Sequence, residues 1–223
     1  AGFRIETLTL VAQLFRKNNI RKNKLNIVLE YRNRAYHNQS IEEEELNDAQ
    51  QALRDAVLGS RKGLGAEVWG RGPFGVWQNA PNVGHAALDL GAAVRFNTEL
   101  AADVREVAIC TVGAHYKAKF EFAAHRAIGI AAGLHAEALD CLAAGTDPKW
   151  AGELELVHRY TATLLEDKRV SAELHQELVN CFGEHGAVEL VTTIGYYCLI
   201  SLTLNAFEVP LPNEMQDPWP NEA

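Results

Sequence analysis

The sequence predicts an all-α protein, and three observations support this fold class. Segments with helical character follow one another along most of the chain, and no segment shows the alternation of apolar and polar residues that marks a half-buried strand. Hydrophobic residues make up 48% of the 223 residues. This content is enough to bury one substantial core or two small ones.

The first clearly periodic helix follows residue 40. Ser40-Ile-Glu-Glu matches a capping box in front of the segment EEELNDAQQALRDAVLGSR. Within that segment Leu46, Ala49, Leu53 and Val57 recur at three- and four-residue spacing, and acidic residues occupy the first turn. We therefore expect an amphipathic helix here.

The next segment, KGLGAEVWGRGPFGVWQNAPNVG, has a different composition. It is rich in glycine, is interrupted by Pro73 and Pro81, and carries the aromatic residues Trp69, Phe74 and Trp77. Glycine and proline are the strongest local breakers of regular structure. The segment predicts a structured loop that packs its aromatic side chains over another part of the protein.

Helical segments resume after this loop. They are HAALDLGAAVRFNTE, REVAICTV, the KFEFAAH helix ending at Gly133, EALDCLAAG, WAGELELVHRYTATLLEDK, SAELHQELVNCFG and AVELVTTIGYYCLISLTLNAF. Gly145 and Pro148 stop the fourth of them. We expect a helical domain over residues 40–212, followed by a Pro-rich tail over 213–223 that frays.

Charge divides the chain into two regions. Residues 1–39 form a basic segment of unknown role, with eight Lys and Arg residues against the acidic Glu6 and Glu30, whereas the whole chain has a net charge of −8. An acidic body disfavours nucleic acid as a partner. The basic segment is typical of a solvated helix face; a remnant of an Arg-rich targeting segment and an oligomer contact are the alternatives.

Cysteine usage and hydropathy indicate a cytoplasmic protein without a membrane partner. Cys110, Cys141, Cys181 and Cys198 are widely separated in apolar helical segments, so they predict buried small side chains rather than disulfides or a CxxC pair. We expect no window with the ~18 to 20 uncharged apolar residues that span a bilayer. The start, AGFRIETLTLVAQLFRKNN, lacks the order of a secretory signal.

One apolar, alanine-rich helix carries two ionisable residues, Glu121 and His125, four positions apart. Residues at i and i+4 share a helix face, so the carboxylate and the imidazole can meet and shift each other's pKa. Such a pair can hold and move a proton near neutral pH. An exposed charge pair, or a core histidine satisfied by a glutamate, is the structural alternative.

Four stretches between about residues 63 and 212 resemble the carboxymuconolactone decarboxylase family, within the alkylhydroperoxidase D-like superfamily. They are GPFGVW, RFNTEL with DVREVAI, AHYKAKFEFAAHRAIGIAAGL and IGYYCLISLTLNAFEVPLP. They occur in order at the family's usual spacing, which is more specific than any single motif. The resemblance implies an alkylhydroperoxidase D-like helical bundle, a homo-oligomer, a small pocket between helices and no organic cofactor.

The resemblance also implies site residues. Glu121 and His125 match the family's E-x-x-x-H, Glu106 matches the glutamate of its R-E-[LIV] run, and His115 with Tyr116 matches a histidine-aromatic pair. His125 is then the leading proton donor and acceptor, Glu121 its partner, and Glu106 a further polar group at the catalytic site. The substrate-binding residues would be His115, Tyr116, Phe74, Trp77 and Phe96, with plain core packing as the alternative for the aromatic ones.

Two departures from the family narrow the expected chemistry. The peroxidase branch has a CxxC where this chain has Ala118 and Glu121, so the chain lacks the thiol pair that a thiol peroxidase needs. The helical extension that ends in TLNAFEVPLP is typical of a longer, functionally mixed subgroup rather than of the shorter decarboxylases. The decarboxylase-type branch fits better, but the substrate does not follow from the resemblance.

Three hypotheses for the function follow. The first is cofactor-free decarboxylation, or a related proton transfer, on a small carboxylic acid or lactone, because loss of CO2 beside a carbonyl leaves an enolate that must be stabilised and reprotonated. The second is a metal-dependent enzyme that uses His115, Glu121 and His125 as a facial triad; the favoured prediction has no metal. The third is a non-catalytic binding protein that retains the pocket.

Overall fold

The computed structural model describes residues 46–60 and 65–220, and within them it is all helical, as the sequence predicts. A 3-10 turn over Ala66–Gly70 precedes the second helix. The helices are α1 (Asp48–Ser60), α2 (Gly72–Trp77), α3 (Pro81–Phe96), α4 (Ala102–His115), α5 (Lys119–Ala131), α6 (Ala136–Ala143), α7 (Glu153–Asp167) and α8 (Ala172–Ala206).

Helix α4 lies at the centre of the bundle and packs against α5, α7 and α8. Its residues from Glu106 to Gly113 are all buried, including side chains on every side of the helix. A helix that is apolar nearly all round is stable only when neighbours surround it. The buried carboxylate of Glu106 is therefore placed in the interior of the bundle.

The start of α1 differs from the sequence-based expectation. The predicted capping box at Ser40 lies outside the described residues, as do residues 1–39. The helix begins at Asp48, where the backbone N–H of Gln50 donates to Asn47 Oδ1 and the N–H of Asn47 donates to Gln50 Oε1, both at 3.0 Å. Asn47 and Gln50 thus form a reciprocal capping box of their own.

The predicted aromatic loop is partly helical. Pro73 lies in the first turn of α2 and Pro81 in the first turn of α3, a position that proline favours because its missing N–H has no partner there anyway. Trp69 and Trp77 are buried in the core. The two prolines therefore begin helices, and the aromatic packing that the sequence predicts is present.

Helix α8 is bent at Gly183, whose φ of 70° lies outside the helical region. Glycine adopts a positive φ without the strain that a side chain adds. The bend falls at the end of NCFG, between the two helical segments that the sequence predicts. The longer part, after the bend, crosses the core beside α4 and α5.

Helix α8 corrects the expectation about membrane spans. Among the described residues it is the one helix long and apolar enough to cross a bilayer by length and composition, and half of its apolar window is buried inside the fold. Core helices of soluble proteins meet the same criterion.

The Pro-rich tail does not fray over its described part, residues 213–220. Trp219 is buried, its Nε1–H donates to the carbonyl of Ala143 at 2.8 Å, and its ring lies 5.1 Å from that of Phe122. Lys119 Nζ bonds Asp217 Oδ2 at 2.8 Å and also the carbonyl of Trp219. The tail is therefore fixed to α5 and α6 by one aromatic anchor and one ion pair.

Candidate active site

The site is built around His125, which lies between two carboxylates. Its Nδ1 is 2.6 Å from Oε2 of Glu106 on α4, and its Nε2 is 3.1 Å from Oε1 of Glu121, one turn earlier on α5. All three side chains are buried. The i,i+4 spacing in α5 predicted the second contact, whereas the first depends on the packing of α4 against α5.

Electrostatics in this cluster favour the charged imidazole. Burial by itself lowers the pKa of His125, but Glu106 and Glu121 act in the opposite direction through their charges and hydrogen bonds, and the net effect raises the pKa to about 9. His125 is thus an imidazolium at neutral pH, with a proton available to each carboxylate.

The cluster opens onto a cavity of about 370 Å³. Glu121 and His125 line this cavity, whereas Glu106 does not and so lies behind the imidazole. The volume is near the lower end of the range for small-molecule pockets, roughly 300 to 1,000 Å³. The apolar part of the wall comes from α2, α3, α5, α8 and the tail, and includes Phe74, Phe96, Phe120, Ala124, Ile128, Ile200 and Met215.

Two tyrosines from α8 complete the wall. The ring of Tyr197 meets that of His125 edge to face, with 4.9 Å between centroids, and Tyr196 packs in the same way on Tyr197. A Cβ at Gly91 would lie 2.2 Å from the hydroxyl oxygen of Tyr196. Only glycine fits at this position of α3 while Tyr196 keeps its place in the wall.

Burial raises the pKa of Tyr197 well above its ordinary value, and the nearby Glu121 and Glu106 add to this effect while Arg95 opposes it. Tyr197 therefore keeps its proton at neutral pH, and its ring lies next to that of His125. Tyr196, Tyr197 and Arg95 are not among the site residues that the sequence predicts. Their approach to α5 depends on tertiary packing, and no local motif marks it.

Of the residues that the sequence assigns to substrate binding, two line the cavity and three do not. Phe74 and Phe96 line the cavity. Trp77 does not; it is buried in the core, edge to face with Phe74 at 5.9 Å. His115 and Tyr116 also lie outside the cavity lining, at the end of α4, where their rings contact each other at 5.0 Å.

Candidate metal ligands and thiols were also located in the described part of the chain. Within residues 46–60 and 65–220, no three His, Cys, Asp or Glu side chains are grouped so that they could hold a metal ion. Cys110 is buried one turn after Glu106, and burial followed by the charges of Glu106 and Glu121 raises the pKa of its thiol well above the ordinary value. The prediction that the cysteines are buried is wrong for the other three, because Cys181 is exposed and Cys141 and Cys198 are only partly buried. Partial burial raises the pKa of the Cys198 thiol.

Comparison with known proteins matches the chain to no family model and to no curated protein.

Proposed function

We propose that this protein is a cofactor-free decarboxylase, or a related proton-transfer enzyme, that acts on a small oxo acid or lactone. The observation that carries this proposal is the position of His125 between Glu106 and Glu121 at the wall of an apolar cavity. We also propose that the protein belongs to the carboxymuconolactone decarboxylase family. On this proposal it has an alkylhydroperoxidase D-like fold, is cytoplasmic and forms a homo-oligomer.

The three side chains suit different parts of a proton transfer. Glu106 makes the shorter contact from behind the imidazole and fixes its orientation, which makes Glu106 a positioning residue. Glu121 makes the longer contact and faces the cavity. A proton on Nε2 of His125 therefore has a route to the ligand through the carboxylate of Glu121.

Decarboxylation of a 3-oxo acid, in which the carbonyl is next to the carbon that loses CO2, would use this route as follows. The bond between the carboxylate carbon and the α-carbon breaks, CO2 leaves, and the electron pair of that bond becomes part of an enolate. Glu121 accepts the Nε2 proton of His125 and passes it to the enolate carbon, and a proton from the solvent then restores the imidazolium of His125. The enolate would be stabilised by hydrogen-bond donors at the apolar wall, where hydrogen bonds and charges act more strongly than in water.

A screen for CO2 release tests this proposal. The full-length protein is incubated with a panel of small oxo acids and carboxylated lactones, and CO2 release is measured beside His125→Gln protein. We expect at least one compound to be turned over by the wild type and at least ~100-fold more slowly by the variant, the usual scale for loss of a general acid or base. Binding without turnover across the panel would instead support a non-catalytic binding protein.

A further inference from the structure

Two arginines line the cavity, Arg71 and Arg95, and they differ in whether a carboxylate pairs with them. Nη1 of Arg71 lies 2.7 Å from Oε1 of Glu214 in the tail, so this charge is already paired. Arg95, at the end of α3, has no ion pair with any described residue. Its guanidinium carbon lies 5.3 Å from the centre of the adjacent Phe96 ring. The cavity therefore presents one cation whose charge no protein carboxylate neutralises within the described residues.

The surroundings of Arg95 favour an anionic ligand. Its side chain is partly buried, and the rings of Phe96 and Tyr196 line the same cavity, so the surroundings of the guanidinium are less polar than water. Charge-assisted hydrogen bonds are stronger than neutral ones, and a guanidinium offers two parallel N–H donors that match the two oxygens of a carboxylate. A flat, apolar acid can fill the aromatic wall while its carboxylate reaches Arg95.

Arg95 is also close to the proton-transfer residues. Its charge acts on the hydroxyl of Tyr197, whose ring contacts His125. The buried cluster of His125 with two carboxylates carries a net negative charge while the imidazole is protonated, so it disfavours an anion beside Glu121. A ligand would thus bind with its carboxylate at Arg95 and with the carbon that accepts the proton toward Glu121.

We propose that Arg95 is the residue that makes this cavity selective for anions, by pairing with a carboxylate of an apolar-bodied small acid. The inference deepens the proposed function and rests on it for the identity of the site, but it concerns binding and not turnover.

Benzoate and benzamide provide a matched pair of probes, because they have nearly the same shape and differ in charge. Binding of each is measured by calorimetry or ligand-observed NMR to the full-length wild type, Arg95→Gln, Arg95→Lys and Arg126→Gln. Arg126 is the control, since it lies outside this cavity and is paired with Asp140 at 2.8 Å. Circular dichroism and thermal unfolding establish that each variant is folded.

We expect the wild type and Arg126→Gln to bind benzoate at least ~10-fold more tightly than benzamide, and Arg95→Gln to lose this preference, as fits one charge-assisted pair. Arg95→Lys should keep part of it, because lysine retains the charge without the planar fork. The proposal is overturned if the wild type shows no preference for benzoate, including no binding of either probe, or if folded Arg95→Gln keeps the full preference.

The outcomes for Arg95 and for the proposed function can be told apart. If binding of benzoate is preferred and depends on Arg95 but no compound releases CO2, the anion site is supported and the decarboxylase proposal is contradicted. If Arg95→Gln protein instead turned over an anionic substrate with an unchanged KM, the proposed enzymatic function would stand and the role of Arg95 in anion binding would be excluded.

Discussion

Nδ1 of His125 lies 2.6 Å from Oε2 of Glu106, although the two residues are 19 positions apart and belong to different helices. The contact joins the centre of the bundle to the cavity wall, because Glu106 is on α4 and His125 faces the cavity from α5. This hydrogen bond holds the Nδ1 edge of the imidazole in the protein interior. The opposite edge meets Glu121, which is exposed to a ligand in the cavity.

The first prediction concerns pH and stability. The folded-state pKa of His125, about 9, is above its ordinary value of 6.5, so the folded protein holds this proton more tightly than the unfolded chain. The resulting stabilisation is complete below about pH 6.5 and is lost as the pH rises through about 9; its size is on the order of 3 kcal/mol. Urea unfolding at intervals between pH 6 and 10 measures it.

His125→Gln is the control for this titration, because thiols and other groups also ionise in the alkaline range. The difference in unfolding free energy between wild type and variant should shrink as the pH rises from about 6.5 to 9. A difference that stays constant over this interval would show that His125 does not gain its proton affinity from Glu106 and Glu121.

A second prediction is that dithiol-driven reduction of peroxides is absent, or no faster than with free cysteine. Under the proposed family assignment, Ala118 and Glu121 occupy the positions of the peroxidase thiols, and the thiol of Cys110 is buried with a raised pKa. The thiolate is the attacking species, so a raised pKa suppresses the reaction. Rapid turnover of an alkyl hydroperoxide that a single Cys→Ser change abolishes would contradict this.

A third prediction is that the protein is a homo-oligomer, detectable by light scattering at micromolar concentration. After its bend, α8 carries an exposed apolar stripe on one face. The stripe consists of Val188, Val191, Leu199 and Leu202, of which 39% to 66% of the surface is accessible to solvent. Residues at these spacings lie within one narrow sector of a helix. Such a stripe is typical of a surface that packs against another copy.

Replacing Leu199 and Leu202 by Glu should shift the oligomer toward smaller species, because charges are costly in an apolar contact. Gln176→Glu serves as the control, since Gln176 is exposed on the same helix before the bend. A monomeric wild type, or an unchanged mass in the double variant, would speak against this use of the stripe.

The fourth prediction concerns the anchor of the tail. Trp219→Ala should lower the unfolding free energy by about 3 kcal/mol, the usual cost of removing a large buried aromatic side chain, since both its packing on Phe122 and its bond to Ala143 are lost. Glu214→Gln breaks only the exposed pair with Arg71, and should cost no more than about 1 kcal/mol. Equal stability losses in chemical denaturation would show that the tail is not held by Trp219.

The sequence predicts local features of this fold well and tertiary contacts poorly. The helices of the bundle, the buried aromatic segment and the Glu121–His125 pair all follow from spacing along one segment. The contact of Glu106 with His125, and the approach of Arg95 and Tyr197 to the cavity, depend on how α3, α4 and α8 pack, which no local pattern encodes. Trp219 shows the same limit, since proline spacing predicts a frayed tail whereas one buried indole fixes it.

The last prediction asks whether the histidine and its two carboxylates serve chemistry or only fill the interior. On a substrate identified by CO2 release, His125→Gln and Glu121→Gln should each reduce turnover by at least ~100-fold, because each interrupts the route of the proton to the ligand. Glu106→Gln keeps that route but removes the nearer negative charge, so it should lower the pKa of His125 in an NMR titration and shift the alkaline limb of the pH–rate profile toward lower pH. If the cluster is only structural, the folded fraction of all three variants should keep full activity, although each variant loses about 1 to 3 kcal/mol of stability. Full activity in well-folded His125→Gln protein would exclude His125 from the mechanism, and the unchanged pKa of His125 in Glu106→Gln protein would exclude Glu106 as its positioning residue.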